Sequence, residues 1–181
     1  PLLPRLNGGP AKLTLSSAPA GFGKTTLVTH WLNDFRLRIA DFGLNEVSAP
    51  SIQNLKSKIQ NPKIAWLSLD EQDNTSSRFW RYVHAALQQP IAVNPPETAV
   101  PHLLNQLTQQ PTPVILVLDD YHFITEPAIH TALTFLIDHL PAQHHIVMTT
   151  REVPPLPLHR WRARQQLQAL TAADPRFTPA E

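Results

Sequence analysis

A chain of 181 residues with 42% hydrophobic content is long enough to bury a sizeable core as one globular domain and too short for a second full one. A formal net charge of +1 removes any global electrostatic argument for nucleic acid or membrane, and zero cysteines exclude disulfides and thiol chemistry and fit a cytoplasmic protein. No apolar run reaches membrane-spanning length, no signal peptide is visible, and the start at Pro1 and end at Glu181 are those expected of an excised piece of something longer.

Residues 1–11 are Pro- and Gly-rich and look like a linker or truncated lead-in, so the expected domain is 12–181. KLTLSSAPAGFGKTTLVTHWL at 12–32 then runs from an alternating strand pattern (Leu13, Leu15) through a glycine-flanked turn into helical spacing at Leu27, Val28, Trp31 and Leu32. A strand feeding a helix N-terminus through Gly21 and Gly23 is where a polyphosphate is held. The glycines let consecutive N–H groups point inward, and the helix presents its unsatisfied amides and positive dipole end to the same anion. Ala20, Gly21, Phe22, Gly23, Lys24, Thr25 and Thr26 form the expected nucleotide-binding loop, with Lys24 on the β- and γ-phosphates and the Thr25 hydroxyl on Mg²⁺. The first position of the G-x-x-x-x-G-K-[ST] pattern is Ala18, which requires an ordinary negative φ there. The alternative is a Gly-rich turn with a chance lysine.

Residues 36–62 are polar and weakly patterned, an expected excursion with a short helix over 52–59. The Asp41-Phe42-Gly43 tripeptide inside it lacks every other kinase signature and reads as chance. IAWLSL at 64–69 is a second strand, followed by the acidic LDEQD run and a helix with Phe79, Trp80, Val83 and Leu87 on one face. Asp73 or Thr75 is expected to cap that helix, against a metal or effector role for the acidic run. Prolines over 90–101 break regular structure, and Leu103, Leu104 and Leu107 then pattern a short helix closed by Pro111 and Pro113.

VILVL at 114–118 is the run of a strand buried on both faces, and it ends in Asp119-Asp120. Carboxylates there emerge at the sheet edge where open α/β sheets bind ligands. Asp119 is expected to complete the Mg²⁺ shell opposite Thr25 and Asp120 to orient or activate water, against a reading of both as capping or solvated strand-end residues. Thr125 is expected to cap a helix with Pro127 in its first turn and Ile129, Leu133, Leu136, Ile137 and Leu140 buried. HHIVMTT at 144–150 is a further strand, ending in Arg151, which is either a γ-phosphate contact or a plain surface residue. His144 and His145 alternate across a strand and are read as non-ligands. After a proline-punctuated turn, Arg160-Trp161-Arg162-Ala163-Arg164 is expected to be a solvated helix face with one buried anchor rather than a nucleic-acid patch, and 167–170 a last strand.

These elements give a three-layer α/β P-loop NTPase with a mainly parallel central sheet. The segments APAGFGKTTL, AWLSLDEQDN with RFWRYV, LVLDDYHFI, PAIHTALTFLIDHLP and TTREVPPLPLHRWRARQQL, in this order, closely resemble the ATPase module of MalT-like, LuxR-type ATP-dependent transcriptional regulators, members of the STAND class related to AAA-type ATPases. The resemblance implies a switch that holds ADP in a resting monomer, exchanges it for ATP when an inducer is sensed, self-associates and activates transcription, with slow hydrolysis as the reset. It implies Lys24 and Thr25 as phosphate and Mg²⁺ contacts, Asp119 as the metal aspartate, Asp120 as the hydrolytic acid and Arg151 as a sensor arginine, and it assigns nothing to His122. An adenine-cradling segment that such regulators carry precedes the piece matching Leu2-Leu3-Pro4-Arg5-Leu6, and their winged-helix, helical-repeat sensor and helix-turn-helix parts would lie past Glu181. The resemblance therefore implies that DNA and inducer binding are to be expected of sequence outside this chain. Two other readings stay open: a P-loop ATPase or phosphotransferase enzyme, and a degenerate interaction module that keeps the fold without the chemistry.

Overall fold

The computed structural model describes residues 11–41, 62–88 and 96–171. Alternating or continuous apolar runs form five strands: β1 (Leu13–Ser17), β2 (Lys63–Ser68), β3 (Val114–Asp119), β4 (His145–Thr150) and β5 (Leu167–Thr171). The helices between them are α1 (Lys24–Asp41), α2 (Ser76–Ala86), α3 (Pro96–Gln109), α4 (Pro127–His139) and α5 (Leu158–Ala163), with single 3₁₀ turns at Glu71–Asp73 and Tyr121–Phe123. The sheet order is β2-β3-β4-β1-β5, and every pairing among the described residues is parallel. Leu118 lies beside Met148 and Ser17 beside Thr150, so all the carboxyl ends share one edge.

Alternation along β3 sorts the two core clusters. Leu116 and Leu118 face the larger one, built with Phe79, Trp80, Leu103, Leu133, Ile137 and Trp161 from the helices α2 to α5. Ile115 and Val117 face the other way, with Val147 of β4, onto Val28, Trp31 and Leu32 of α1. All six β3 residues are buried, as expected of a central parallel strand covered on both sides. Truncating a side chain such as Leu133, 1% exposed, to alanine would cost about 2–5 kcal/mol through lost transfer energy and the cavity left behind. No helix among the described residues is long and apolar enough to cross a membrane.

Three local expectations are corrected. α3 starts at Pro96 and runs through Pro101, where a proline break was expected. Pro96 sits at the helix start, where its missing N–H costs nothing, and exposed Pro101 removes one internal hydrogen bond. Burial of Val100, Leu103, Leu104 and Leu107 offsets that loss. α4 is capped by Glu126, whose carboxylate accepts from the Ala128 N–H at 3.3 Å, rather than by Thr125. Thr125 is engaged instead by Asn74, which donates to its hydroxyl at 2.7 Å and accepts its N–H at 2.9 Å. Finally, α1 continues through Asp41, six residues into the expected excursion. The helix expected over 52–59 and the lead-in at 1–10 lie outside the described residues.

Two histidines close the opposite, amino-terminal edge of the sheet. His144 Nδ1 accepts from the Val114 N–H at 3.1 Å while its Nε2–H donates to the Leu107 carbonyl at 2.8 Å. The next ring uses the other tautomer: His145 Nδ1–H donates to the Ala11 carbonyl at 3.1 Å, and Nε2 accepts from the Thr14 hydroxyl at 2.9 Å. Both rings are neutral and fully engaged by protein partners.

Candidate nucleotide site

The carboxyl edge gathers the residues singled out in the sequence. β1 ends at Ser17, and the N–H of Ala18 donates to the Thr150 carbonyl at 3.3 Å, tying the loop's first residue to β4. Gly21 (φ +83°) and Gly23 (φ +66°) take the left-handed backbone on either side of Phe22. A Cβ added at Gly21 would meet nothing within 4 Å and at Gly23 only Thr26 Cβ at 3.9 Å, so it is conformation rather than crowding that requires glycine. Ala18 needs no such conformation and is buried among its neighbours. The Gly23 carbonyl accepts the Leu27 N–H at 2.7 Å and begins α1, whose first turn carries no acidic side chain to compete for an anion.

Ala20, Gly21, Phe22, Gly23, Thr25 and Thr26 are exposed along the lip of this loop, and Lys24 alone is buried, 7% exposed. Its ammonium donates to the Pro19 carbonyl at 2.9 Å across the turn. Burial lowers its pKa, the Asp120 carboxylate raises it, the Arg151 guanidinium lowers it again, and Asp119 raises it. Four charged groups from β1–α1, β3 and β4 therefore act on one another here.

Thr25 Oγ1, in the first turn of α1, lies 3.1 Å from both carboxylate oxygens of Asp119 at the end of β3. Since β4 lies between β1 and β3, this contact spans the top of an intervening strand. Thr149 of β4, a residue the sequence reading passed over, stands under it: its hydroxyl donates to Asp119 Oδ1 and accepts the Asp120 N–H at 2.9 Å. The only sign of it in the sequence is a pair of threonines ending an otherwise apolar strand. Asp120 itself is left-handed (φ +58°, ψ 43°), with its carboxylate partly exposed and 3.6 Å from His122 Nδ1. Burial, then the charge of Arg151, holds the His122 pKa below the ordinary imidazole value, against the opposing pull of Asp120. Arg151 is exposed just past β4 at the same edge.

Other motifs resolve into structure. Asp70 caps the 3₁₀ turn by accepting from the Gln72 N–H at 2.8 Å, and buried Asp73 accepts from the Asp70 N–H at 3.1 Å and from Arg78 at 3.0 Å. Thr75 occupies the N-cap position of α2 without a side-chain bond. Asp138 receives Trp161 Nε1–H at 2.7 Å and an Arg160 N–H, which makes the Arg-Trp-Arg stretch an anchored helix.

The residues fit a metal-bound polyphosphate. The loop offers two left-handed glycines, a helix N-terminus and a buried ammonium, all suited to phosphate. Beside them the Thr25 hydroxyl and the Asp119 carboxylate are hard oxygen donors of the type Mg²⁺ selects.

No protein-family model matches the chain. It is 31% identical over 99% of its length to the HTH-type transcriptional regulator MalT of Cronobacter sakazakii and 33% identical over 93% to MalT of Yersinia enterocolitica. The chain spans about a fifth of the length of these curated relatives, 19% and 18% respectively. Among solved structures it is similar to the Aeropyrum pernix ORC1 protein in complex with DNA (16% identity, TM-score 0.59, 94% of this chain and 40% of that one) and to the A. pernix ORC2 protein in its ADP form (17%, 0.54, 94% and 45%). Cdc6p from Pyrobaculum aerophilum is also similar (16%, 0.52, 87% and 38%). At these identities the structures show the fold, a three-layer P-loop NTPase fold with a parallel sheet, and the sequence relatives bear out the resemblance to MalT-like regulators.

Proposed function

We propose, from the premise that this chain is a relative of MalT-like transcriptional regulators over nearly all its length, that residues 12–181 are the ATP- and ADP-binding switch module of a signal-responsive LuxR-type regulator, and that slow ATP hydrolysis resets the switch. The observation that carries the reading is the contact of Thr25 Oγ1 with both Asp119 oxygens at 3.1 Å. It joins the end of the phosphate loop to the end of β3, as one shared Mg²⁺ site requires. In this reading Ala20 to Thr26 wrap the phosphates, Lys24 offsets their charge, and Thr25 and Asp119 hold Mg²⁺, which when bound neutralises charge on the phosphate oxygens. Asp120 orients the attacking water, and Arg151 reports whether a γ-phosphate is present. Burial of Lys24 supports its role, because a desolvated ammonium gains more from an incoming polyphosphate than a hydrated one. Self-association on ATP binding, a cytoplasmic location, and DNA contact through other parts of a longer protein complete the proposal.

The test is equilibrium binding of fluorescent ATP and ADP, with and without Mg²⁺, to the chain and to Lys24→Ala, followed by turnover on the same samples. Tight binding lost in the variant with slow turnover is the expected result. Fast multiple turnover, or phosphoryl transfer to a small acceptor, would replace the switch with an enzyme. A folded chain that binds neither nucleotide would leave an interaction module.

A further inference from the structure

Asp120 sits in a left-handed backbone conformation (φ +58°, ψ 43°) that an aspartate tolerates but does not prefer. Such a conformation persists only where its surroundings over-determine it. On one side the constraint is the Asp120 N–H bond to Thr149. On the other it is Tyr121. This side chain is 1% exposed, and its hydroxyl shares a 2.8 Å hydrogen bond with Nδ1 of His130, itself 7% exposed, in α4. The rings meet edge-on with centroids 5.6 Å apart. Burial pushes the Tyr121 phenol well above its usual range and the His130 imidazole below its own, so both stay neutral.

The partner helix is fixed in turn. Asn74, just past the 3₁₀ turn that follows β2, accepts the N–H groups of Thr125 and Glu126 at 2.9 and 2.8 Å immediately before α4. A continuous set of bonds therefore runs from the turn after β2, through the start of α4, to Tyr121 and the turn bearing Asp120. A buried neutral hydrogen bond adds little net stability over an apolar pair of the same shape; what it adds is a fixed length and direction.

We propose that Tyr121 and His130 are positioning residues for hydrolysis: their hydrogen bond fixes the turn that aims the Asp120 carboxylate, so that α4 sets the hydrolytic rate without setting nucleotide affinity. This rests on the hydrolytic reading of Asp120 given above. The pair acts through the backbone of residues 120–124, where the N–H groups of Phe123 and Ile124 close the turn on the Asp120 and Tyr121 carbonyls at 3.2 and 3.0 Å.

Tyr121→Phe, His130→Leu and His130→Asn, compared with the parent chain, test this by amide hydrogen exchange and single-turnover ATP hydrolysis, with ATP and ADP affinities measured separately. Losing one hydrogen bond should speed exchange at Asp120, Phe123 and Ile124 by about tenfold in Tyr121→Phe and His130→Leu while Val117 and Val147 keep their protection. Hydrolysis should fall by about as much, with both affinities within about twofold. His130→Asn, which keeps a polar atom near the Nδ1 position, should recover most of the rate and protection. Unchanged exchange in the turn, exchange rising equally across the sheet, or affinity falling in step with rate would each overturn the proposal. A parent chain that hydrolyses no ATP would instead remove the hydrolytic reading, and selective exchange in the turn would still uphold the positioning of Asp120 by the pair.

Discussion

Replacing Thr149 by valine keeps the shape and β-branching of a fully buried residue and removes one oxygen. That oxygen has two partners, the Asp119 carboxylate and the Asp120 N–H. A hydrogen bond to a charged acceptor contributes about 1.5–3 kcal/mol, and a buried N–H left without an acceptor costs about 1–3 kcal/mol. The second figure applies at its lower end, because Asp120 is only partly buried. The valine methyl returns less than about 0.8 kcal/mol. The expected net loss is about 2–3 kcal/mol. In urea, with a slope of about 2 kcal/mol per molar for a domain of this size, the midpoint should fall by about 1–1.5 M with the slope unchanged. Tryptophan fluorescence follows the transition, since Trp80 and Trp161 are buried in the core. Thr149→Ser, which keeps the hydroxyl and loses a methyl, serves as the control. A valine variant as stable as the serine variant would refute the assignment of Thr149 as the residue that joins Asp119 to Asp120.

Asp120→Asn should leave ATP affinity within about twofold and lower turnover by about a hundredfold or more, the range expected when a general base is removed; turnover equal to the parent's would exclude the role. Arg151→Ala should weaken ATP binding about tenfold more than ADP binding, the scale of one charge-assisted hydrogen bond, and an unchanged ATP-to-ADP affinity ratio in paired titrations would count against γ-phosphate sensing. Acid should destabilise the fold through the two histidines at the amino-terminal edge. Burial depresses both pKa values, that of His145 to about 4, so the unfolded chain takes up protons first. Stability is then complete above about pH 6.5 and declines as the pH falls towards 4, by on the order of 3 kcal/mol for His145. Urea midpoints at pH 7.5 and 4.5 should differ less in His145→Gln than in the parent, and equal differences would show that His145 is not the titrating group.

The phosphate loop and β3 were legible because each is specified locally. Gly21 and Gly23 are needed for their own φ values, Lys24 and Thr25 follow within the same turn, and the run from Val114 to Asp119 announces a strand buried on both faces. What escaped depends on residues distant in sequence. Thr149 matters because β4 inserts between β1 and β3, and chain order does not reveal strand order. Thr125 lost the expected capping role to Glu126 because Asn74, 51 residues away, already engages it. Pro101 is tolerated within α3 because the apolar face of that helix is buried by α2 and α4, a tertiary gain that outweighs one missing backbone bond. His122 acquires its place beside Asp120 only through a left-handed residue that nothing in the local pattern demands.

The strand order also acts as a ruler. Neighbouring strands lie about 4.8 Å apart, so a strand inserted between β1 and β3 holds their ends about 10 Å from each other. One interposed strand lets Thr25 and Thr149 both reach the Asp119 carboxylate, Thr25 from the first turn of α1 and Thr149 from the strand between. Thr149 is fully buried against that carboxylate, so a side chain larger than threonine at position 149 would crowd Asp119 and separate it from Thr25.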